Sequence, residues 1–307
     1  MNVFSIRDIE QLTGIKAHTI RIWEQRHNLL CPKRKESKHR VYDSDDLKFI
    51  LRVALLYNHG YKISRIACMD ADKIRDLTLE LKKECEQFGA YVNQLTEATL
   101  DFDQLRFERI LQNVIIEYGF ERTVQHVIFQ LLNKIGVLWL AGKIHPCQEH
   151  FASALVLKKM VSAIDGLPPV RPATAPGRSV LLFTPGAEFH EIPLLFMQYL
   201  LKKNGVPTVY AGKSVSPDAL EAICRQQYIS QLYFHQVTNI VRCDINTYLR
   251  KLADRFPDKE IFFAGLHGCG CKLGNLPVNT TYLQNDLSML SFSESKTPAW
   301  KPACPEI

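Results

Sequence analysis

The sequence predicts a multidomain chain: an all-α winged helix-turn-helix, then a four-helix bundle, then an α/β doubly wound (flavodoxin-like) domain on a parallel sheet. Three observations predict it. Short capped helices followed by a basic, alternating segment open the chain. A long stretch of three- and four-residue apolar periodicity comes next. Beyond a proline cluster, short apolar runs alternate with helical stretches. A length of 307 residues, 46% hydrophobic and 23% charged, suits two or three ordinary globular domains.

The opening helix has Ser5 as N-cap and Asp8 in capping-box position, with Ile6, Ile9 and Leu12 on one face. Thr13-Gly14-Ile15 is a turn. Ala17 to Gln25 forms a second helix with Ile20 inward and Lys16, His18, Thr19 and Arg21 outward. A Lys/Arg run then leads into Arg40-Val41-Tyr42, which alternates like a strand. Ser44-Asp45-Asp46 caps a third helix, whose apolar stripe ends at Gly60.

Apolar residues from Leu77 to Ile135 keep helical spacing, with polar breaks near Thr99–Asp103 and Gly119, so a bundle of about four helices is expected. Pro168, Pro169, Pro172 and Pro176 mark a stiff linker. Strands are expected at Ser179–Phe183, Thr208–Ala211, Gln231–Phe234 and Glu260–Ala264, with helices between them. Apolar strands separated by helices imply a parallel sheet, whose ligands bind beyond the carboxyl ends of the strands. The expected divisions are 1–75, 76–165, a linker at 166–177, 178–285, and a flexible tail at 286–307 rich in Ser, Pro and Lys.

The net charge of +6 is concentrated at the amino end, where residues 1–42 hold nine Lys/Arg against four Asp/Glu. That asymmetry favours a polyanion partner. Nine cysteines lie scattered, only Cys269-Gly270-Cys271 being close, which fits a reduced cytoplasmic protein better than a disulfide framework or a zinc site. No signal-peptide pattern opens the chain, and no run approaches the ~20 apolar residues of a membrane span.

The first 75 residues resemble the MerR family of winged-helix regulators. The resemblance rests on Leu12-Thr13-Gly14-Ile15, Thr19-Ile20-Arg21-x-Trp23-Glu24-x-Arg26, Arg40-Val41-Tyr42 and Gly60-Tyr61-x-Ile63-x-x-Ile66. It implies binding to double-stranded operator DNA through Lys16, His18, Thr19, Arg21, Arg26, Arg40 and Tyr42. His18 and Thr19 would lie near base edges, and Arg21, Arg40 and Tyr42 would meet phosphates. Trp23 reads as core.

His190 falls just past the first strand of the α/β part, with Glu188 two residues before it. A histidine so placed offers one ring nitrogen to a metal while a carboxylate takes the other N–H. Glu188-x-His190-x-x-Pro193, forty-one residues, His235-x-Val237, twenty-six residues and Ala264-Gly265 is similar to the cobalamin-binding pattern Asp-x-His-x-x-Gly, Ser-x-Leu, Gly-Gly. The resemblance implies cobalt ligation by His190, a slot for the nucleotide tail near His235, Val237, Ala264 and Gly265, and close backbone approach at Gly186 and Gly265. Glu for Asp keeps the carboxylate; Pro193, His235 and Ala264 depart from the pattern.

Trp139, nine residues, then Glu149-His150 resembles the upper-face motif of CarH/LitR-type cobalamin photoreceptors, which are MerR-type repressors. It implies an adenosylcobalamin-dependent repressor, not an enzyme, acting as a homo-oligomer (dimer or tetramer) and responsive to light. Leu140 stands where those receptors carry a second cobalt-binding histidine, so that adduct is not expected here. Two other readings share these features: a MerR-like regulator whose cobalamin domain is cofactor-free and serves oligomerisation, and a corrinoid-dependent methyltransferase or mutase subunit. The latter has no need of a DNA reader.

Overall fold

The computed structural model describes residues 4–30, 33–34, 40–171, 177–237, 244–265, 273–284 and 286–294. Most of the basic run before Arg40, prolines 172 and 176, the Cys269/Cys271 pair and the chain after residue 294 lie outside the described residues. The chain forms two compact units, Met1–Tyr91 and Val92–Ile307.

In the first unit α1 (Ile6–Thr13) starts with a reciprocal cap. The Ser5 amide donates to Asp8 Oδ2 at 2.7 Å, and the Asp8 amide donates to Ser5 Oγ at 3.4 Å. Gly14 ends it at φ +72°, a conformation that a Cβ would disfavour. The turn feeds α2 (Ala17–His27), which runs two residues past its expected end. Strands β1 (Lys33–Arg34) and β2 (Arg40–Val41) pair antiparallel, and Phe4 bridges Tyr42 beside them. Asp43, not the expected Ser44 cluster, caps α3 (Ser44–Asn58), with Asp46 reciprocating. A short α4 (Ile63–Ala67) follows. Ile9, Ile20, Trp23, Ile50, Leu56 and Ile66 form the core, with Trp23 only 4% exposed and edge-on to Tyr57, so Trp23 is core as expected.

Helix α5 (Ala71–Leu100) runs unbroken for 30 residues, so the division expected at residue 75 falls inside it. In the second unit its end meets α6 (Gln104–Tyr118), capped by Asp103. Gly119 breaks the chain before α7 (Phe120–Thr123), a π-helical turn (Val124–Ile128) and α8 (Phe129–Leu140). α9 (Pro146–Asp165) completes the helical part. Phe107 and Phe151, the Arg106–Glu97 pair and the Lys158–Glu108 pair tie these helices together.

The sheet is all parallel. It comprises β3 (Val180–Pro185), β4 (Thr208–Val215), β5 (Gln231–Gln236), β6 (Glu260–Gly265) and β7 (Thr280–Tyr282), in the order β4-β3-β5-β6-β7. Between them run α10 (Ile192–Lys203), α11 (Pro217–Gln226) and α12 (Ile245–Arg255), and α13 (Asp286–Glu294) follows β7. Strand alternation sends Leu181, Phe183, Phe234 and Phe263 to the face holding Leu220 and Leu249 of α11 and α12. Val180, Leu182, Tyr233 and Phe262 face α10 and α13 on the other side. The chain leaves β3 toward β4 on one side and leaves β5 toward β6 on the other, so the topological switch point lies at the carboxyl ends of β3 and β5.

Residues 286–294 correct the expected flexible tail. They form α13, whose Met289 and Phe292 are buried against the sheet. Phe292 stacks on Tyr233 at 5.7 Å and lies 4.4 Å from Phe262 between ring centroids. Buried Arg178 holds the helix from below: it donates to the Phe292 carbonyl at 2.8 Å and to Gln231 Oε1 at 2.7 Å. Burial pulls this guanidinium down to about 10, partly offset by Glu260.

Within this second unit the helical part packs on the sheet domain through α9 against α10. Phe129 meets Phe196 at 5.6 Å, Lys202 Nζ donates to the Ile164 carbonyl at 2.7 Å, and Lys203 pairs with Glu121. The β3–α10 loop and the α8–α9 turn therefore belong to the same compact unit.

Candidate functional site

On α2 the buried residues are Ile20, Trp23 and Glu24, which leaves His18, Arg21 and Arg26 exposed. Lys16 is exposed and pairs with Glu10 at 3.3 Å; the Thr19 hydroxyl is half-buried, 3.3 Å from His18 Nε2. Tyr42 corrects the expectation of a phosphate contact. It is fully buried, and its hydroxyl donates to Glu24 Oε1 at 2.6 Å. Burial and this carboxylate push the phenol well above the usual tyrosine range. Arg40 Nε contacts Glu24 Oε2 at 3.1 Å while the side chain stays partly exposed. Glu24 thus fastens the second helix to the strand behind it. Its place on the buried helical face, beside Trp23 and four residues from Ile20, was the sequence signal for this role.

The second constellation sits at the switch point. Glu188 is completely buried, and its carboxylate accepts from N–H groups on both sides of the loop. Oε1 accepts from the His190 amide at 3.0 Å and from His190 Nδ1 at 2.6 Å; Oε2 accepts from the Val237 amide at 2.9 Å. One carboxylate therefore ties the loop after β3 to the end of β5. With Nδ1–H given to Glu188, Nε2 carries the lone pair on a ring whose side chain is 52% exposed. The Glu188 hydrogen bond raises His190 above the ordinary histidine range against the opposing effect of burial, and Glu149 of α9 adds a smaller pull.

Other parts of the loop are held from β3 and β4. Thr184 Oγ1 donates to the Glu188 carbonyl at 2.6 Å and accepts from the Ser214 amide at 2.9 Å; Ser214 Oγ accepts from Ala187 at 3.1 Å. Ala187 and Ser214 both sit at positive φ, +69° and +55°. Sequence reading missed this clasp because its halves are thirty residues apart.

Nearby strand ends bring the remaining expected residues together. His235 pairs with Ala264 and Gln236 with Gly265 across β5 and β6. His235 Nδ1 lies 3.2 Å from the Tyr233 hydroxyl, and both His235 and Ala264 are buried. Gly265 has φ +108°, and a Cβ there would meet the Gln236 carbonyl oxygen at 1.9 Å. On the helical side Trp139 is 47% exposed in the last turn of α8. Glu149 accepts from Ser153 Oγ at 2.7 Å and lies 3.5 Å from the exposed His150 ring.

This arrangement fits a cobalamin. Among the described residues no group of three or more His, Cys, Asp or Glu is placed to hold a metal ion. A single oriented imidazole suits a metal whose other ligands come from a macrocycle. Phe189 and Val237 flank His190 in sequence and across the clamp, 62% and 40% exposed, and offer apolar surface to such a ring.

Comparison with known proteins bears on both constellations. Residues 4–72 match the model of the MerR HTH family regulatory protein, and residues 91–162 that of the B12 binding domain. The HTH-type transcriptional repressor CarA of Myxococcus xanthus is 30% identical over 224 residues, covering 72% of each chain. The chain belongs to the CarA/CarH family of HTH-type transcriptional regulators. CarH of the same organism is 26% identical, covering 71% of this chain and 73% of that protein. The Methanosarcina barkeri monomethylamine corrinoid protein shares the fold, with a TM-score of 0.52 at 12% identity, covering 65% of this chain and 95% of its own. As a member of the CarA/CarH family the chain is a cobalamin-dependent, DNA-binding transcriptional regulator and not an enzyme. No described helix is long and apolar enough to cross a membrane.

Proposed function

We propose that this regulator is a cytoplasmic repressor that holds adenosylcobalamin between its α/β and helical parts, and that the bound cofactor sets its homo-oligomeric state. The Glu188 clamp carries the reading: it presents His190 Nε2 from a buried, fully engaged carboxylate at the switch point. His190 would hold the cobalt from below. Trp139, Glu149 and His150 would cover the upper face, and His235, Val237, Ala264 and Gly265 would line the path of the nucleotide tail. The cofactor would supply a cobalt–carbon bond that light or ligand exchange can break.

The chain's own residues do the rest. Glu188 fixes the tautomer and direction of His190, and the Thr184–Ser214 clasp holds the loop in place before any ligand arrives. Trp139 and Glu149 flank the α8–α9 turn, so these two helix ends would be the part of the chain that covers the bound group and responds to a change in it. Leu140 is 78% exposed and cannot ligate, so the light product would lack a second histidine from that position. A ligand shifts assembly only as far as its affinity differs between the two states. Losing a protomer then removes a DNA half-site and the avidity it provided.

The test is an absorption spectrum of protein mixed with adenosylcobalamin in the dark, desalted and then illuminated, beside His190→Ala. Size-exclusion chromatography before and after light accompanies it. Corrin bands that survive desalting only when His190 is present, and a size that changes with light, are expected. A colourless wild type would overturn the ligand reading and favour a cofactor-free oligomerisation domain.

A further inference from the structure

We infer that Ile22 and Gln25 on α2 read A·T pairs of the operator, Ile22 through the thymine methyl and Gln25 through the adenine edge. The inference rests on the DNA binding that family membership gives and adds which bases are read. His18, Arg21, Ile22 and Gln25 are all exposed, and their i, i+3, i+4, i+7 spacing puts them on one stripe. That stripe lies opposite Ile20, Trp23 and Glu24, which hold α2 to its core. Ile22 is 42% exposed and so spends apolar surface where the fold does not need it. Its stripe neighbours are polar or basic, and the charge excess of residues 1–42 makes nucleic acid the partner complementary to this face.

The major groove offers a β-branched side chain one apolar partner, the C5-methyl of thymine. A glutamine amide matches N6–H and N7 of adenine. Residues three apart on a helix have Cβ atoms about 5–6 Å apart, which spans one to two base steps of about 3.4 Å. The two side chains therefore address A·T pairs that are adjacent or separated by one pair.

The test starts with duplexes recovered by the full-length protein from a random-sequence pool. The recovered half-site is expected to carry A·T pairs within two steps of each other. Replacing its thymidines by deoxyuridine, which removes only the methyl, should weaken wild-type binding about three- to fivefold. Ile22→Ala should bind both duplexes equally, and Ile22→Val should keep part of the difference. Replacing adenine by 7-deazaadenine should cost the wild type about tenfold and leave Gln25→Ala unaffected. Both substitutions lie on an exposed face, so unchanged melting temperatures are expected. A duplex bound equally with and without the methyl, or full methyl sensitivity in Ile22→Ala, overturns the inference alone. A pool that yields no bound duplex overturns DNA recognition and this inference together.

Discussion

Two buried glutamates, one in each compact unit, are put to different uses. Glu24 is 7% exposed and meets a phenol and a guanidinium; Glu188 is fully buried and meets two backbone amides and an imidazole. The first closes on itself. Its hydroxyl partner is buried with it, and the result is a fastened helix and strand. The second acts outward, because the imidazole it orients keeps a second nitrogen on a side chain that is half exposed. A buried carboxylate alone therefore does not mark a ligand site. What marks it is a partner with a free end.

Substitutions at these positions test the contrast. The largest effect is expected from Gly265→Ala, where a Cβ at positive φ would drive into the Gln236 carbonyl beside the clamp. A loss of roughly 3 kcal/mol or more in stability of the second unit is expected, with cobalamin retention lost and the first unit's melting unchanged. Glu24→Ala should destabilise the first unit by about 2–3 kcal/mol, because Tyr42 is left buried without its acceptor; partial exposure of Arg40 moderates the loss. Corrin bands should stay intact in that variant, and their loss would break the separation drawn here. Glu188→Gln keeps an acceptor but not the charge. A 10–100-fold weaker retention of cobalamin in an absorption titration is expected, about 1.4–2.7 kcal/mol, with little change in DNA affinity. Tyr42→Phe removes one hydroxyl and should cost the first unit about 1 kcal/mol in denaturant unfolding, the smallest of the four.

The order of elements was legible because the physics that makes them is local. Leu181, Phe183, Phe234 and Phe263 are apolar on strands buried on both faces, and helical periodicity fills the gaps. The Glu188–His190 pair was legible because its members are two residues apart. Other features were not, for reasons that can be named. Tyr42 follows a two-residue strand, too short for alternation to say which side faces inward. α13 alternates serine with apolar residues and so carries no clear helical stripe, and β7 is three residues long. The π-helical turn at Val124–Ile128 has no proline or glycine to announce it. The Thr184–Ser214 clasp exists only once β3 and β4 are side by side.

The helix at Asp286–Glu294 has a practical meaning for anyone trimming this protein. A chain stopped at residue 285 would retain every side chain proposed to touch the cofactor. It would nevertheless strip the cover from Tyr233 and Phe262 and deprive buried Arg178 of both the ring and the carbonyl it holds. The exposed aromatic strip would be sticky, and the guanidinium beneath it would stand beside Glu260 and Gln231 with one side open to water. Such a truncation is expected to aggregate or to fall quickly to proteases, and its failure to bind cobalamin would then say nothing about the binding residues themselves.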